Sequence, residues 1–273
     1  MKAIFIIVYL TAYLLTCGDN LKTEISLDIF SDSLKITAVP AYYNFPLFYK
    51  KYIDAGGIPV ISSEKVPDVA LIKAHDIIVQ MLSDVKIPDV VKKLNEYKVR
   101  IAVMSKSEIT TDIPEHSDLN KAFPETNWNT RARGLSATIV RPATSCAEEN
   151  LLCYANDPYR GECILVHEFA HTIYEMAIRY LLPDFVDRLN AIFENAKTKG
   201  LWVNTYAISN DSEYWAEGVQ DFFNVNLQAI PSNGIHNEVN TREELKQYDN
   251  RLFNLISTCF EQDNKPISCY ATN

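Results

Sequence analysis

The chain has 273 residues, of which 47% are hydrophobic, and a formal net charge of −9. This length allows a sizeable core, and the sequence contains no internal repeat or low-complexity tract that would indicate a fibrous or disordered protein. The excess of 35 acidic over 26 basic residues argues against binding to nucleic acid. We therefore expect a globular protein without nucleic-acid partners.

The first residues have the pattern of a secretory signal peptide. A basic start precedes residues 3–15, which are apolar with one exception. This run is too short to span a membrane, which needs about 20 apolar residues, and no longer apolar stretch follows it. We predict a signal peptide of residues 1–18, with cleavage after Gly18, and a secreted protein of residues 19–273. A lipid anchor on Cys17 is the alternative.

Cysteine usage agrees with export. Cys146 and Cys153 close a short loop, and Cys259 and Cys269 lie near the C-terminus, so two local disulfide bonds are plausible. Cys163 lies in an apolar helical run and is expected to be a buried thiol. A bond between Cys153 and Cys163 is an alternative pairing.

Residues 19–134 alternate between short β-like and helical patterns, which predicts a mixed α/β half. Strand patterns cover Lys35–Val39 and Val99–Met104. Helical patterns that begin at prolines cover Pro67–Val85 and Pro88–Tyr97. No residues in this half indicate catalysis, and the sequence leaves its role open.

Residues 135–273 form a mostly helical half of the same predicted domain. A short strand is expected over Leu135–Val140, before the helical patterns begin. Helices are predicted from Asp157 to Leu181, from Pro183 to Lys199, from Asn210 onward and from Thr241 to Phe260. Together these elements predict an α+β fold with a small mixed sheet followed by helices.

His167, Glu168 and His171 form a His-Glu-x-x-His motif within the first of these helices. Residues four apart share a helix face, so both imidazoles can bind one metal ion. Glu168 lies beside them, where it can take a proton from a water on the metal. The alternative is an ordinary buried helix with two satisfied histidines, but these groups are costly to bury without a partner. The motif therefore favours a zinc site.

A catalytic zinc ion needs a third protein ligand, and Glu213 is the best candidate. Glu213 and Glu217 are four residues apart on the helix that is predicted to begin near Asn210. We assign Glu213 to the metal and Glu217 to a hydrogen bond with a ligand histidine. The alternatives are a capping role for Glu213 beside Asn210 and a ligand role for His236.

These residues resemble the gluzincin metallopeptidases, and within them the catalytic domain of anthrax lethal factor and its relatives. The resemblance rests on the runs His167–Thr172 and Glu213–Gly218, and on Tyr206, which lies seven residues before the second run. It covers roughly residues 135–225. The resemblance implies a zincin active-site helix beneath an edge strand, and residues 136–140 could be the edge that aligns a substrate.

The resemblance also implies a role for each matching residue. The zinc ligands are His167, His171 and Glu213, the catalytic base is Glu168, the active-site tyrosine is Tyr206, and the second carboxylate is Glu217. An ordinary packed tyrosine is the alternative for Tyr206. The implied function is that of a secreted zinc endopeptidase that cleaves peptides or proteins. A secreted zinc-binding protein that captures peptides without cutting them and an aminopeptidase-like exopeptidase are the alternatives, and the oligomeric state stays open.

Overall fold

The sheet is mixed and has four strands, three from the first half and one from the second, in the computed structural model, which describes residues 35–261 and 267–272. In spatial order the strands are β1 (Lys51–Ala55), β2 (Ile58–Ser62), β3 (Arg100–Met104) and β4 (Ala143–Ala147). β1 and β2 are antiparallel, whereas β3 is parallel to both β2 and β4. The predicted signal peptide and Cys17 lie outside the described residues.

The first hairpin was not predicted from the sequence. β1 and β2 are joined by Gly56 and Gly57, both with positive φ, and two such glycines between β-like runs are a hairpin signal. The predicted strand Lys35–Val39 is wrong, because this segment contributes only an isolated bridge between Thr37 and Tyr52.

Helices flank the sheet and form most of the second half. The first half contains α1 (Asp68–Ser83), α2 (Val90–Glu96), α3 (Leu119–Ala122) and α4 (Trp128–Arg131). The second half contains α5 (Glu148–Leu151), α6 (Ile164–Ile173), α7 (Arg179–Leu181), α8 (Phe185–Thr198), α9 (Asp211–Phe222), α10 (Arg242–Tyr248) and α11 (Asn250–Ser257). A π-helical turn, Tyr174–Ile178, joins α6 to α7. The predicted α+β class is confirmed, and none of the described helices is long and apolar enough to cross a bilayer.

The helix that carries the His-Glu-x-x-His motif begins later than predicted. It starts at Ile164 rather than near Asp157. The Asp157 carboxylate accepts hydrogen bonds from the side chain of Asn150 and from the backbone N–H of Tyr159, and the chain then turns at Gly161 with a φ of 109°. Asp157 therefore stabilises a turn before the helix instead of its first residues.

The helix predicted over Thr241–Phe260 is divided at Asp249. The backbone of Asp249 is not helical, with φ −132° and ψ 76°, and its carboxylate accepts from the N–H of Leu252 to begin α11. The apolar pattern continues across this break, so spacing alone predicts one helix where there are two.

The predicted strand Leu135–Val140 is also wrong. Leu135 forms an antiparallel bridge with Ser145 at the edge of β4, and the chain then turns back between Thr138 and Arg141. The strand in this region is β4 itself. The extended part of the preceding segment is short and lies between β4 and α6, where Leu135 contacts β4 and Ala137 contacts α6.

The two disulfide bonds proposed from the sequence are wrong. Cys153 is bonded to Cys269, and Cys146, Cys163 and Cys259 are free and buried. The side chain of Cys146 lies in the hydrophobic core on β4, whereas Cys153 lies in a turn after α5, so neighbours in sequence face different environments. The buried thiol predicted for Cys163 is confirmed.

α6 is held between β4 and α9 by buried hydrogen bonds. The hydroxyl of Thr172 on α6 accepts from the backbone N–H of Ala137 at 3.0 Å and lies 2.6 Å from the hydroxyl of Thr144 on β4. On the other side, the indole N–H of Trp215 on α9 donates to the carbonyl oxygen of Ala170 at 3.0 Å. These contacts fix the helix face that carries the two motif histidines.

His116 is a buried histidine whose titration is expected to weaken the fold in acid. Only 1% of it is exposed, and burial lowers its pKa to about 4. The unfolded chain binds this proton near pH 6.5, so stability that is present above pH 6.5 is lost as the pH falls from 6.5 to about 4. The loss amounts to roughly 3 kcal/mol.

Urea unfolding at about pH 7 and about pH 4.5 measures this effect. We expect the free energy of unfolding of wild type to fall more between these values than that of His116→Asn. The same fall in both proteins would contradict the assignment to His116.

Candidate metal centre and active-site cleft

The three predicted metal ligands meet at one point. Nε2 of His167 and Nε2 of His171 lie 3.1 Å apart, and each lies 3.1 Å from Oε2 of Glu213. Among the described residues, these three side chains form the group that could hold a metal ion. Ligand atoms about 2.1 Å from a tetrahedral zinc ion are about 3.4 Å from each other, so the three donor atoms lie slightly closer together than such a site requires.

Asn210, rather than Glu213, caps α9. Its Oδ1 accepts from the backbone N–H of Glu213 at 2.9 Å, while the Glu213 carboxylate faces the two histidines. The cap places Glu213 in the first turn and orients its side chain towards α6. Capping therefore accounts for Asn210 and leaves the carboxylate of Glu213 for the metal.

Gln220 fixes the orientation of His167, and sequence reasoning missed it. Nε2 of Gln220 faces two acceptors at 3.3 Å, Oε2 of Glu162 and the carbonyl oxygen of Cys163. Its Oε1 therefore faces Nδ1 of His167, at 2.7 Å, and accepts that proton. Nε2 of His167 is then left with a lone pair for a metal. The sequence feature that could have indicated this role is the position of Gln220, seven residues after Glu213 and therefore on the same helix face.

Two further side chains flank the ligand histidines. Nδ1 of His171 lies 2.8 Å from Oγ of Ser212, and when this hydroxyl accepts the Nδ1 proton, Nε2 of the imidazole can bind a metal. Glu217 lies 3.6 Å from Nδ1 of His167, beyond a normal hydrogen bond, and accepts from the side chain of Asn226 at 3.0 Å. Glu217 is a buried carboxylate beside the centre, and its hydrogen bond to a ligand histidine stays a prediction.

Replacing Gln220 by leucine is expected to lower the affinity for zinc by about 10- to 100-fold, because Nδ1 of His167 loses its acceptor. Competition with a chromophoric chelator measures this affinity. Gln220→Glu keeps an acceptor and should bind zinc more tightly than Gln220→Leu. Gln228→Leu, at an exposed position, is the matched control. Equal affinities in Gln220→Leu and wild type would show that the contact does not position the ligand.

The electrostatics favour a positive charge among the three donors. Burial disfavours charged His167, but its hydrogen bond with Glu213 and the nearby carboxylates outweigh burial and raise the pKa of His167 to about 10. Burial likewise disfavours ionised Glu213, but the contacts with His167 and His171 hold its pKa well below the usual range. A divalent cation supplies the positive charge that this donor set stabilises, so the residues present fit a zinc ion.

Glu168 lies at the cleft wall beside these ligands. It is half-buried, its carboxylate has no hydrogen-bond partner among the described residues, and burial raises its pKa although His167 and His171 oppose this. A Cβ atom at Gly134 would lie 2.5 Å from Ile164 and 3.3 Å from Cγ of Glu168. Glycine therefore allows the extended segment before β4 to pass directly over the face of α6 that carries Glu168.

Tyr206 also lies beside the centre. Its pKa is raised by burial and by the neighbouring Glu213 carboxylate, so the phenol keeps its proton and can donate it in a hydrogen bond. The hydroxyl lies 3.3 Å from Nη2 of Arg131, and the backbone N–H donates to the carbonyl oxygen of Ile235. In contrast, His236 lies 3.4 Å from Oε2 of Glu162 and outside the three-donor group, which does not support it as a ligand.

A cleft of about 740 Å³ connects these side chains. Its walls include Glu168, Tyr206, the three metal-ligand candidates and the segment that precedes β4. The cleft is also lined by apolar side chains, among them Leu119, Phe123 and Trp128. The metal centre is therefore open to a ligand of the size of a peptide.

No protein-family model matches this chain, and no curated protein matches its sequence. Among solved structures it is similar to the Pro-Pro endopeptidase PPEP-2 from Paenibacillus alvei, with 14% sequence identity and a TM-score of 0.45 over 72% of this chain and 95% of that chain. At this distance the comparison assigns no function. The resemblance of the sequence to lethal-factor peptidases stays a prediction, and the function is inferred from the side chains of this chain.

Proposed function

We propose that this chain is a secreted zinc metallopeptidase that hydrolyses peptide bonds within peptides or proteins. The observation that carries the proposal is the convergence of His167, His171 and Glu213, with Glu168 beside them, at the wall of a cleft of about 740 Å³. Two histidines and a carboxylate leave a coordination position open, as catalytic rather than structural zinc sites do.

The chain supplies the groups that peptide hydrolysis needs. Zinc bound by His167, His171 and Glu213 would act as a Lewis acid and lower the pKa of water. Glu168 takes a proton from the attacking water and passes it to the leaving amine. The hydroxyl of Tyr206 donates a hydrogen bond to the substrate carbonyl oxygen as negative charge develops on it.

The extended segment of residues 134–138 can align a substrate backbone. Leu135 pairs with β4 and Ala137 donates to Thr172, whereas the backbone groups of Ser136 have no hydrogen bond within the described part of the chain. Ser136 lines the cleft, and successive residues of an extended chain face opposite sides. An extended peptide can therefore pair with Ser136 as an added strand.

Secretion is part of the proposal. The N-terminal pattern of residues 1–18 supports it, and so does the bond between Cys153 and Cys269, because disulfide bonds persist mainly in oxidising compartments.

Cleavage of short peptides with blocked and with free termini tests this activity. We expect the zinc-loaded protein, prepared as residues 19–273, to cut blocked peptides at internal bonds. Cleavage that requires a free amino terminus would indicate an exopeptidase. Binding of zinc and peptides without any cleavage would support the peptide-capturing protein instead.

A further inference from the structure

The cleft wall beside Tyr206 carries a guanidinium group that the proposed chemistry does not use. Arg131 is the last residue of α4, it is exposed, and its Nη2 lies 3.3 Å from the hydroxyl of Tyr206. Trp128, three residues earlier on the same face of α4, lines the cleft with it. α4 therefore directs one cation and one aromatic ring into the cleft.

Arg131, unlike its neighbours Arg133 and Arg141, has no carboxylate partner within the described residues. Arg133 binds Glu149 at 2.6 Å, and Arg141 binds both oxygens of Asp118 at 2.9 and 2.8 Å. Within the described part of the chain, the guanidinium group of Arg131 has one hydrogen bond, to the phenol oxygen of Tyr206, and no ion pair. In a chain with more acidic than basic residues, a guanidinium group without such a partner is available to a ligand.

The position of Arg131 places its charge near the reacting atoms. Arg131 lines the same cleft as Glu168 and Glu213, and its guanidinium group contacts Tyr206 there. The carboxylates of Glu162 and Glu217 are buried beneath the cleft, whereas Arg131 is exposed at its wall. The exposed guanidinium group is therefore more accessible to a substrate in the cleft than the two buried carboxylates are.

We propose that Arg131 is a substrate subsite that binds a carboxylate of the peptide close to the bond that is cut, an inference that rests on the proposed peptidase function. A guanidinium group binds a carboxylate through two parallel hydrogen bonds, and the contact with Tyr206 uses only one of its nitrogens. The carboxylate belongs to an Asp or Glu side chain or to the C-terminus of the peptide. The preferred substrates are therefore peptides that carry a carboxylate close to the bond that is cut.

Binding measurements in the Glu168→Gln background test this subsite without requiring cleavage. One set of amidated peptides carries a single glutamate, moved along the sequence, and a matched set carries glutamine. A second comparison uses one peptide without acidic residues, with a free or an amidated C-terminus. With zinc present, we expect the carboxylate form to bind about tenfold more tightly in at least one comparison, and the two comparisons distinguish the two sources of carboxylate.

Substitution of Arg131 assigns the preference to this residue. Arg131→Gln should remove the difference within each peptide pair, and Arg131→Lys should retain part of it because the charge is kept. Arg160→Gln, at a second exposed arginine of the cleft, should leave the difference in place. Circular dichroism checks that each variant is folded.

Two results would overturn the subsite. One is equal binding of carboxylate and amide peptides by the protein with Arg131 intact. The other is a preference that survives in folded Arg131→Gln or is lost in Arg160→Gln alone. Failure of the wild-type protein to cleave any peptide is a separate result, which would contradict the proposed peptidase function. In that case the binding measurements would still show whether Arg131 binds a carboxylate.

Discussion

Replacing Glu168 by glutamine is expected to lower kcat/KM for peptide cleavage by about a thousandfold. Glutamine has nearly the same size but cannot accept the proton of the attacking water. The Glu168 carboxylate has no hydrogen bond within the described residues, so the substitution breaks no contact that holds the fold. Zinc binding should be retained, because His167, His171 and Glu213 are unchanged. Initial rates and the zinc content of the same preparations measure both expectations.

The matched control for this variant is Glu194→Gln. Glu194 is an exposed glutamate on α8 that pairs with Lys197, away from the residues that line the cleft. The control should cleave peptides at the rate of wild type. A rate in Glu168→Gln within about tenfold of wild type would exclude Glu168 as the general base.

Replacing Glu213 by glutamine is expected to weaken zinc binding by at least about 100-fold. The substitution removes the charge that lies 3.1 Å from both ligand nitrogens, so His167 and His171 are left without their anionic partner. Calorimetry measures the consequence for the fold. At zinc concentrations about 1,000 times the dissociation constant, wild type should gain about 4 kcal/mol of stability, which raises its Tm by about 10 °C.

Glu213→Gln should show at most about a third of this rise at the same zinc concentration, because zinc is then at most about ten times the dissociation constant of the variant. Glu194→Gln again serves as the control and should respond to zinc as wild type does. A full rise of Tm in Glu213→Gln would mean that the metal is held by other residues or binds elsewhere.

The convergence of the three side chains that are predicted to bind the metal could be expected from the sequence, because local geometry fixes most of their arrangement. His167 and His171 share a helix face through their spacing of four, and α9 returns Glu213 to that face. Gln220 was not predicted. Its role depends on contacts with Glu162 and Cys163, which lie more than 50 positions earlier in the chain and orient its amide.

Long-range contacts also explain the main errors in the fold. Local spacing suggested that Cys153 pairs with a nearby cysteine, whereas the fold brings the C-terminal segment with Cys269 back to it, 116 positions away. The proposed role of Arg131 could not be predicted from the sequence, because α4 is a single turn without a recognisable pattern. The proposal depends instead on the contact between Arg131 and Tyr206. The bond between Cys153 and Cys269 and the contact between Arg131 and Tyr206 both join distant segments, and no motif in the sequence indicated either of them.

The most direct test of the peptidase activity is the cleavage of a diverse peptide library, followed by mass spectrometry of the new termini. Zinc-loaded wild type should produce cleavage products at internal bonds, and Glu168→Gln, with the same zinc content, should produce almost none. Products that appear equally with both proteins, or no products from zinc-loaded wild type, would contradict the proposed function.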